Sequence, residues 1–380
     1  MPEVYITRTS SFLPNNPIDN DEIEEYLGFI NGAASRTRAL ILRNNKIKQR
    51  YYAMDKNGKL THTNSEIAAT AIKNLFSANP DEIKEVELLS CATSSPDQIM
   101  PSHGMMVHGS LPETGNVDVT SPSGNCCSGM HSLKYAYYAI KSEEVSKAVT
   151  CASERLGQGM RHDKFEEEIQ RLVEVEEKPI LAFEKDFLRW MLSDGAGSFL
   201  IENKKSETGV SLRIDWIESV SFANQEEACM YQGCEKMEDG TTKSFKEYTP
   251  EEIINQSILS IKQDVKLLGE KIVKLGTDTC AKTLEKKGVK SSEIDHFLTH
   301  MSSYFFEDKI DARMHEKGIP IPKEKWFTNL DKIGNVGAAS IYIMVDDLIK
   351  SKKLKVGEKI LLSIPESARF SYVYCLLTVC

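Results

Sequence analysis

The sequence predicts an α/β fold built from two copies of one unit. Three observations carry that prediction. Short apolar runs alternate with longer helical patterns along the chain, as strands separated by helices do in a mixed or parallel sheet. A set of residues recurs between the two halves of the sequence. The 380 residues, 41% hydrophobic and 27% charged, suit two domains or one large α/β body. That composition excludes a disordered, collagen-like or disulfide-stapled chain.

The candidate buried strands are, in order, 86–91, 117–121, 147–152, 197–201, 296–300, 359–364 and 372–379. Helical patterns occupy 65–75, 129–141, 250–284 and 337–350. The polar, charged stretches 155–177 and 225–247 read as insertions or lids, or as solvated surface.

The echo is specific in order. Gly124-Asn125-Cys126-Cys127-Ser128-Gly129 turns into a helix ending near Ser142, and Lys147-Ala148-Val149-Thr150-Cys151-Ala152-Ser153-Glu154 follows a charged link. Later, Gly334-Asn335-Val336-Gly337-Ala338-Ala339-Ser340 opens a helix ending near Ser351, and Lys359-Ile360-Leu361-Leu362-Ser363-Ile364-Pro365-Glu366 follows another link. Asp81-Glu82-Ile83 before Leu88-Leu89-Ser90 matches Ser292-Glu293-Ile294 before Phe297-Leu298-Thr299. The two units divide at 1–205 and 206–380, the first bearing a cysteine turn and the second a histidine and an asparagine.

Charge and cysteine usage narrow the class. With 47 basic against 56 acidic residues the net charge is −9, which argues against a nucleic-acid binder driven by overall charge. Nine cysteines, odd in number and without paired C-x2-C spacing, argue against closed bridges or a zinc ribbon, so no metal is expected. Met1-Pro2-Glu3-Val4 has neither a basic n-region nor an apolar h-region, and no run of eighteen apolar residues exists. A reduced, cytoplasmic protein with no membrane span is the expectation.

Cys127 stands where the first unit turns into its helix. Unpaired backbone N–H groups and the positive end of the macrodipole there favour thiolate and lower its pKa. The same groups can hold an oxyanion on an attached thioester. Cys126 is an alternative nucleophile, and a small buried core residue is the competing reading for both, since free cysteine is often buried. His300 ends a strand before a loop, in position to project into a cleft, with a satisfied structural histidine as the alternative; His296, inside the apolar run, is assigned a structural role. Asn335 takes the mirror place of the cysteine turn, where a helix cap is the common use of asparagine. If the halves are duplicated, equivalent strand ends and helix starts bring the three residues to one cleft.

On these residues the chain resembles a β-ketoacyl carrier-protein synthase III-type ketosynthase of the thiolase superfamily. The resemblance covers nearly the whole chain: Ser11-Phe12-Leu13-Pro14 with Asp19-Asn20-Asp21-Glu22-Ile23, Arg43-Asn44-Asn45-Lys46-Ile47, Cys127-Ser128-Gly129, Ser193-Asp194-Gly195-Ala196-Gly197-Ser198, His300, and Gly334-Asn335-Val336-Gly337-Ala338-Ala339-Ser340. It implies the layered αβαβα thiolase-like fold, Cys127 as acyl-accepting nucleophile, and His300 and Asn335 as donors stabilising an enolate. No cofactor is implied, only acyl carrier protein or coenzyme A thioesters as substrates, and a homodimer. Met100-Pro101-Ser102 matches a segment that reaches the partner subunit's pocket, placing Met100 on an acyl tunnel wall.

Three positions depart from the family pattern. His300-Met301-Ser302-Ser303 lacks the second asparagine, no tryptophan stands around positions 36–43, and Ser367-Ala368-Arg369 replaces a carboxy-terminal glycine triplet. The pattern is most similar to the DarB-type ketosynthases of dialkylresorcinol and flexirubin pathways and their StlD-type stilbene relatives. That resemblance implies a Claisen-type condensation without decarboxylation, then cyclisation, of a β-ketoacyl and an α,β-unsaturated acyl thioester to a dialkylcyclohexanedione. The alternative is a linear β-ketoacyl product in fatty acid or polyketide initiation. Glu154 and its echo Glu366 are candidate acid/base carboxylates, with surface strand-end glutamates as the alternative. Ser367 and Arg369 are candidate auxiliary or oxyanion residues. Lys46, Lys48, Arg50, Arg161, Lys332 and Lys355 are candidates for docking an acidic carrier.

Overall fold

The computed structural model describes residues 2–29, 32, 34–35, 37–164, 187–351 and 354–380. Nine strands form the main sheet: β1 Tyr5–Phe12, β2 Leu88–Ala92, β3 Asp118–Thr120, β4 Lys147–Glu154, β5 Gly195–Glu202, β6 Leu212–Ser221, β7 His296–Thr299, β8 Lys359–Glu366 and β9 Ser371–Val379. Their order across the sheet is β7-β8-β9-β6-β1-β5-β4-β2-β3. Outward from the centre, β1-β5-β4-β2 and β6-β9-β8-β7 repeat one pattern: antiparallel, antiparallel, then parallel. The sequence echo is therefore also an echo of topology. The two sets meet through Tyr5↔Arg213 and Ile6↔Leu212.

Side-chain alternation builds the layers. Helices α1 Asn64–Leu75, α2 Ser128–Lys141, α3 Val265–Lys287, α4 Glu307–Glu316 and α5 Ser340–Lys350 pack against the strands. In β4, Ala148 and Ala152 join the central core with α2 and α5, while Val149 and Cys151 pack with α1. In β8 and β9, Ile360, Leu362, Val373 and Cys375 face that same core, while Leu361, Tyr372 and Tyr374 pack with α3 and α4. The result is helix, one half of the sheet, central helices, the other half of the sheet, helix: the αβαβα arrangement that the resemblance implies. Phe199 of β5 stacks on Tyr342 of α5 at 4.0 Å, and the Tyr342 hydroxyl donates to the Gly129 carbonyl of α2 at 2.8 Å. One residue thus ties both central helices to β5 of the main sheet.

The seven strands read from the sequence are present with ends moved by at most two residues. Strands β1 and β6 were not among them. The single helix expected over 250–284 is instead a short helix, Pro250–Asn255, and then α3. Ser257 at φ 45° turns the chain, Lys262–Gln263 pairs with Met230–Tyr231, and the Asp264 side chain caps α3 by accepting from the Leu267 amide. A stretch that pairs as strand cannot continue a helical ladder.

The 225–247 stretch carries a small hairpin, Cys234–Lys236 with Thr242–Ser244. Of 155–177, the part from 165 onward lies outside the described residues; 157–164 forms two short 3-10 turns. Among the described residues no helix is long and apolar enough to cross a membrane, and no group of three His, Cys, Asp or Glu could hold a metal ion.

Candidate active site

The candidate residues gather where β7 and β8 of the second half meet the start of α2. Parallel pairing sets Thr299 against Ser363, and the next residue, His300, donates its amide to the Ser363 carbonyl at 2.9 Å. The neighbouring carbonyl, Ile364, accepts from Cys127 Sγ at 3.2 Å. Successive carbonyls of one strand therefore hold the histidine and the cysteine.

Asn335 is fixed from both sides of its backbone. Its amide donates to the Met191 carbonyl at 2.8 Å, and its carbonyl accepts from the Ser193 amide at 2.9 Å. Its Oδ1 accepts from the Gly337 amide, a local cap. The Ser193-Asp194-Gly195 motif anchors this arrangement. The Asp194 carboxylate accepts from the amides of Ala53, Leu156 and Gly157, all within 2.8 Å.

A cavity opens beside these residues, with Cys126, His300, Asn335, Ser94, Ser363 and Ser367 among its polar lining. Its apolar lining falls into two groups. Leu156, Leu188, Met191 and Leu192 belong to one core with Ile18, Tyr52 and Trp190. Leu268, Ile272 and Cys280 of α3, with Phe306 and Met314, belong to the outer core of the second half. Residues 268, 272, 276 and 280 share one helix face. Gly276 is required there, because a Cβ would come within 2.8 Å of the Tyr372 ring.

His300 is 4% exposed, its Nε2 has no hydrogen-bond partner, and burial lowers its pKa to about 4. It presents a neutral imidazole to the cavity at neutral pH. Cys127 is fully buried and does not line the cavity, whereas Cys126 does. The sequence expectation of a lowered Cys127 pKa is overturned. Burial first, and the Glu366 carboxylate second, push the thiol well above its ordinary value. The helix start does not favour thiolate here because its amides are occupied. The Cys127 amide donates to Glu366 Oε2 at 2.8 Å, and the Ser128 amide donates to the Asn125 carbonyl.

The auxiliary candidates separate. Glu154 is fully buried, lies off the cavity lining and accepts from Thr93, Ser94, Ser95 and the Ala338 amide. Burial raises its pKa. Its place is a bracket between β4, the 93–95 loop and the Asn335 turn, not that of a carboxylate facing the cleft. Ser367 lines the cavity and donates to Gln263 Oε1 at 3.4 Å. Arg369 is exposed, lies off the cavity lining and donates to the Glu226 carbonyl. Met100 is 82% exposed and is absent from its own chain's cavity.

Of the docking candidates, Arg50 is fully buried, donating to the Trp190 carbonyl and Asn20, so it cannot meet a carrier. Arg161 is engaged with the Tyr26 carbonyl. Lys355 lies before β8, at the end of that strand opposite Glu366. Lys46, Lys48 and Lys332 are exposed and share one region: the Lys48 amide meets the Asp331 carbonyl, and Lys46 sits 5.7 Å over the Tyr304 ring, close in sequence to cavity-lining Met301 and Ser302.

Comparison with known proteins agrees with this architecture. The family model for the 3-oxoacyl-[acyl-carrier-protein] synthase III C-terminal region matches residues 284–364. The chain is 23% identical to the β-ketoacyl-[acyl-carrier-protein] synthase III of Clostridium perfringens over 355 residues, 92% of each chain. It shares its fold with the tetronic acid condensing enzyme AbyA1, with a TM-score of 0.74, 16% identity and 99% of both chains covered. A cysteine-to-serine variant of OleA from Xanthomonas campestris, solved with lauric acid and lauroyl-CoA, superposes with a TM-score of 0.72 at 17% identity, again over 99% of both chains. The matched C-terminal region and the similarity over nearly the whole length to β-ketoacyl-[acyl-carrier-protein] synthase III relatives, together with the shared fold, support an acyl-transferring condensing enzyme.

Proposed function

We propose that the protein takes an acyl group onto Cys127 and condenses it with a second acyl thioester, using His300 and Asn335 to stabilise the enolate. The carrying observation is the cavity that joins a neutral, unpartnered His300 Nε2 and Asn335 to the cysteine turn. Neutral donors aimed at an enolate oxygen supply charge stabilisation in a dry site without a metal. The two apolar groups of the lining favour two acyl chains over a short starter unit, in keeping with β-ketoacyl and α,β-unsaturated partners joined and cyclised to a dialkylcyclohexanedione.

The substrates on this reading are carrier-protein or coenzyme A thioesters, as the names of the C. perfringens relative and the lauroyl-CoA complex of OleA suggest. Halves 1–205 and 206–380 would each supply one side of the cleft. A homodimer is part of the proposal. Ile99, Met100 and Met105 are more than half exposed, an apolar strip that a partner subunit would cover.

Two experiments test it. Intact-mass analysis after incubation with an acyl thioester should show an adduct that Cys127→Ala abolishes and Cys126→Ala retains. Because Cys126 faces the cavity, the reverse result would transfer the nucleophile to it. Product analysis with a β-ketoacyl and an enoyl thioester supplied together should give the cyclic dione; a linear β-ketoacid alone would reduce the activity to chain initiation.

A further inference from the structure

The end of β8 encloses Cys127 from two sides. The Ile364 carbonyl accepts from its Sγ at 3.2 Å, and two residues on, Glu366 Oε2 accepts from its amide at 2.8 Å. The other carboxylate oxygen, Oε1, accepts from Ser371 Oγ at 3.0 Å, which fixes the group across the β8–β9 turn. Cys126, Cys127 and His131 are the titratable groups whose protonation responds to the Glu366 charge. None is a cation that would neutralise it in the resting state, since burial holds the His131 pKa down.

This contact creates a conflict for acyl transfer. A thioester oxyanion forming at Cys127 needs the N–H that Glu366 occupies, and a second negative charge there would repel it. The thiol meanwhile is held protonated by burial and by that same carboxylate. One proton movement resolves both problems. We propose that Glu366 is the proton acceptor for the Cys127 thiol, and that its protonation frees the Cys127 amide to hold the thioester oxyanion.

The step balances. The S–H proton moves to the Glu366 carboxylate, the thiolate adds to the thioester carbonyl, and the neutral carboxyl loosens its hold on the N–H. The tetrahedral intermediate then expels the carrier thiolate. Glu366 returns the proton to that thiolate, the Cys127 thioester remains, and no oxidant, reductant or co-reactant is consumed. Glu366 would thus both block the oxyanion donor at rest and release it during acyl transfer.

The inference rests on the proposed acylation of Cys127, and its test separates the two. Glu366→Gln keeps the volume and an acceptor for the amide but cannot take the proton. It should load acyl groups from a small N-acetylcysteamine thioester at least tenfold more slowly than the unaltered protein. Alkylation of Cys127 by iodoacetamide, followed by peptide mass, needs thiolate but no oxyanion site. Loss of the neighbouring charge should raise its rate. Opposite movements of the two rates support the proposal, as does partial retention of loading in Glu366→Asp. Loading within twofold of the unaltered protein in Glu366→Gln overturns it, and so does a parallel fall in both rates, the mark of a merely structural residue. If the unaltered protein loads no acyl group on Cys127, the underlying function fails and this inference with it.

Discussion

The Glu366 carboxylate accepts a hydrogen bond from the Cys127 amide at 2.8 Å, across 239 residues of sequence. The contact joins the end of β8 to the start of α2, and so joins the two halves at the point where chemistry is expected. It also changes the electrostatic account of the cysteine. A helix start ordinarily favours thiolate through its free amides and dipole. Here an internal carboxylate satisfies the amide, burial penalises the charged sulfur, and the resting residue is a thiol. The acyl-accepting role proposed for Cys127 therefore calls for a proton acceptor, the part proposed for Glu366.

His300 predicts a pH signature. Burial lowers its pKa to about 4 from an ordinary 6.5, and His103, also buried, is lowered to about 4 as well. Between these values the unfolded chain binds more protons than the folded one, so stability rises with pH through that window and is lost as pH falls from 6.5 towards 4. Each group contributes at most about 1.4 kcal/mol per pH unit. Urea midpoints at pH 5, 6 and 7 should show this slope, and His300→Asn should make it shallower while His103 keeps the remainder. An unchanged slope would mean that His300 titrates normally in the folded protein.

Gly129 predicts a packing limit between the central helices. A Cβ there would lie 2.7 Å from the Ala338 carbonyl and 3.0 Å from the Ala152 Cβ, both parts of the rigid core. Overpacking of this kind typically costs about 1–3 kcal/mol. Gly129→Ala should lower the urea midpoint accordingly, despite the better helix propensity of alanine. A midpoint equal to that of the unaltered protein would mean that the helix layer yields at this contact.

The apolar runs of β4, β8 and β9 were legible because both faces of those strands are buried, so hydrophobicity is nearly continuous. Strands β1 and β6 were not. Thr9 and Ser11 of β1 donate to the buried Asp346 of α5, and Asp215 of β6 accepts from Thr378. These polar side chains are satisfied by partners far away in sequence, so the strands that join the halves look like surface. The same limit applies at the site. Cys127, His300 and Asn335 stand at equivalent strand ends and helix starts, which the internal echo exposes. The burial of Arg50 and the contact of Glu366 with Cys127 depend on tertiary packing. The one local signal for Glu366 was its place echoing Glu154.

Lys46, Lys48 and Lys332 predict the route of the carrier. The Lys46 ammonium lies over the Tyr304 ring in the loop that follows His300, and Lys48 and Lys332 are exposed beside Asp331, whose carbonyl the Lys48 amide meets. An acidic carrier docking there gains a screened attraction that salt weakens. Replacing all three by glutamate should raise KM for a carrier-borne substrate about tenfold at low ionic strength. KM for a small thioester should stay unchanged, and the difference should shrink at roughly 0.5 M salt. An equal rise for both substrates would point to damage within the pocket.

Cys280 predicts a limit on acyl length. It is 4% exposed, stands on the same face of α3 as Leu268, Ile272 and Gly276, and lines the cavity with Phe306 and Met314. Cys280→Phe would fill the space available to the far end of a chain lying between α3 and α4. Each buried methylene contributes about 0.8 kcal/mol. Excluding three of them should lower kcat/KM for a long-chain thioester roughly fiftyfold. A chain too short to reach α3 should lose less than threefold. Competition assays with a mixed series of acyl lengths would display this as a shift of the preferred substrate to shorter chains. A uniform loss across all lengths would show that the chain runs instead along the Leu156 and Met191 side of the cavity.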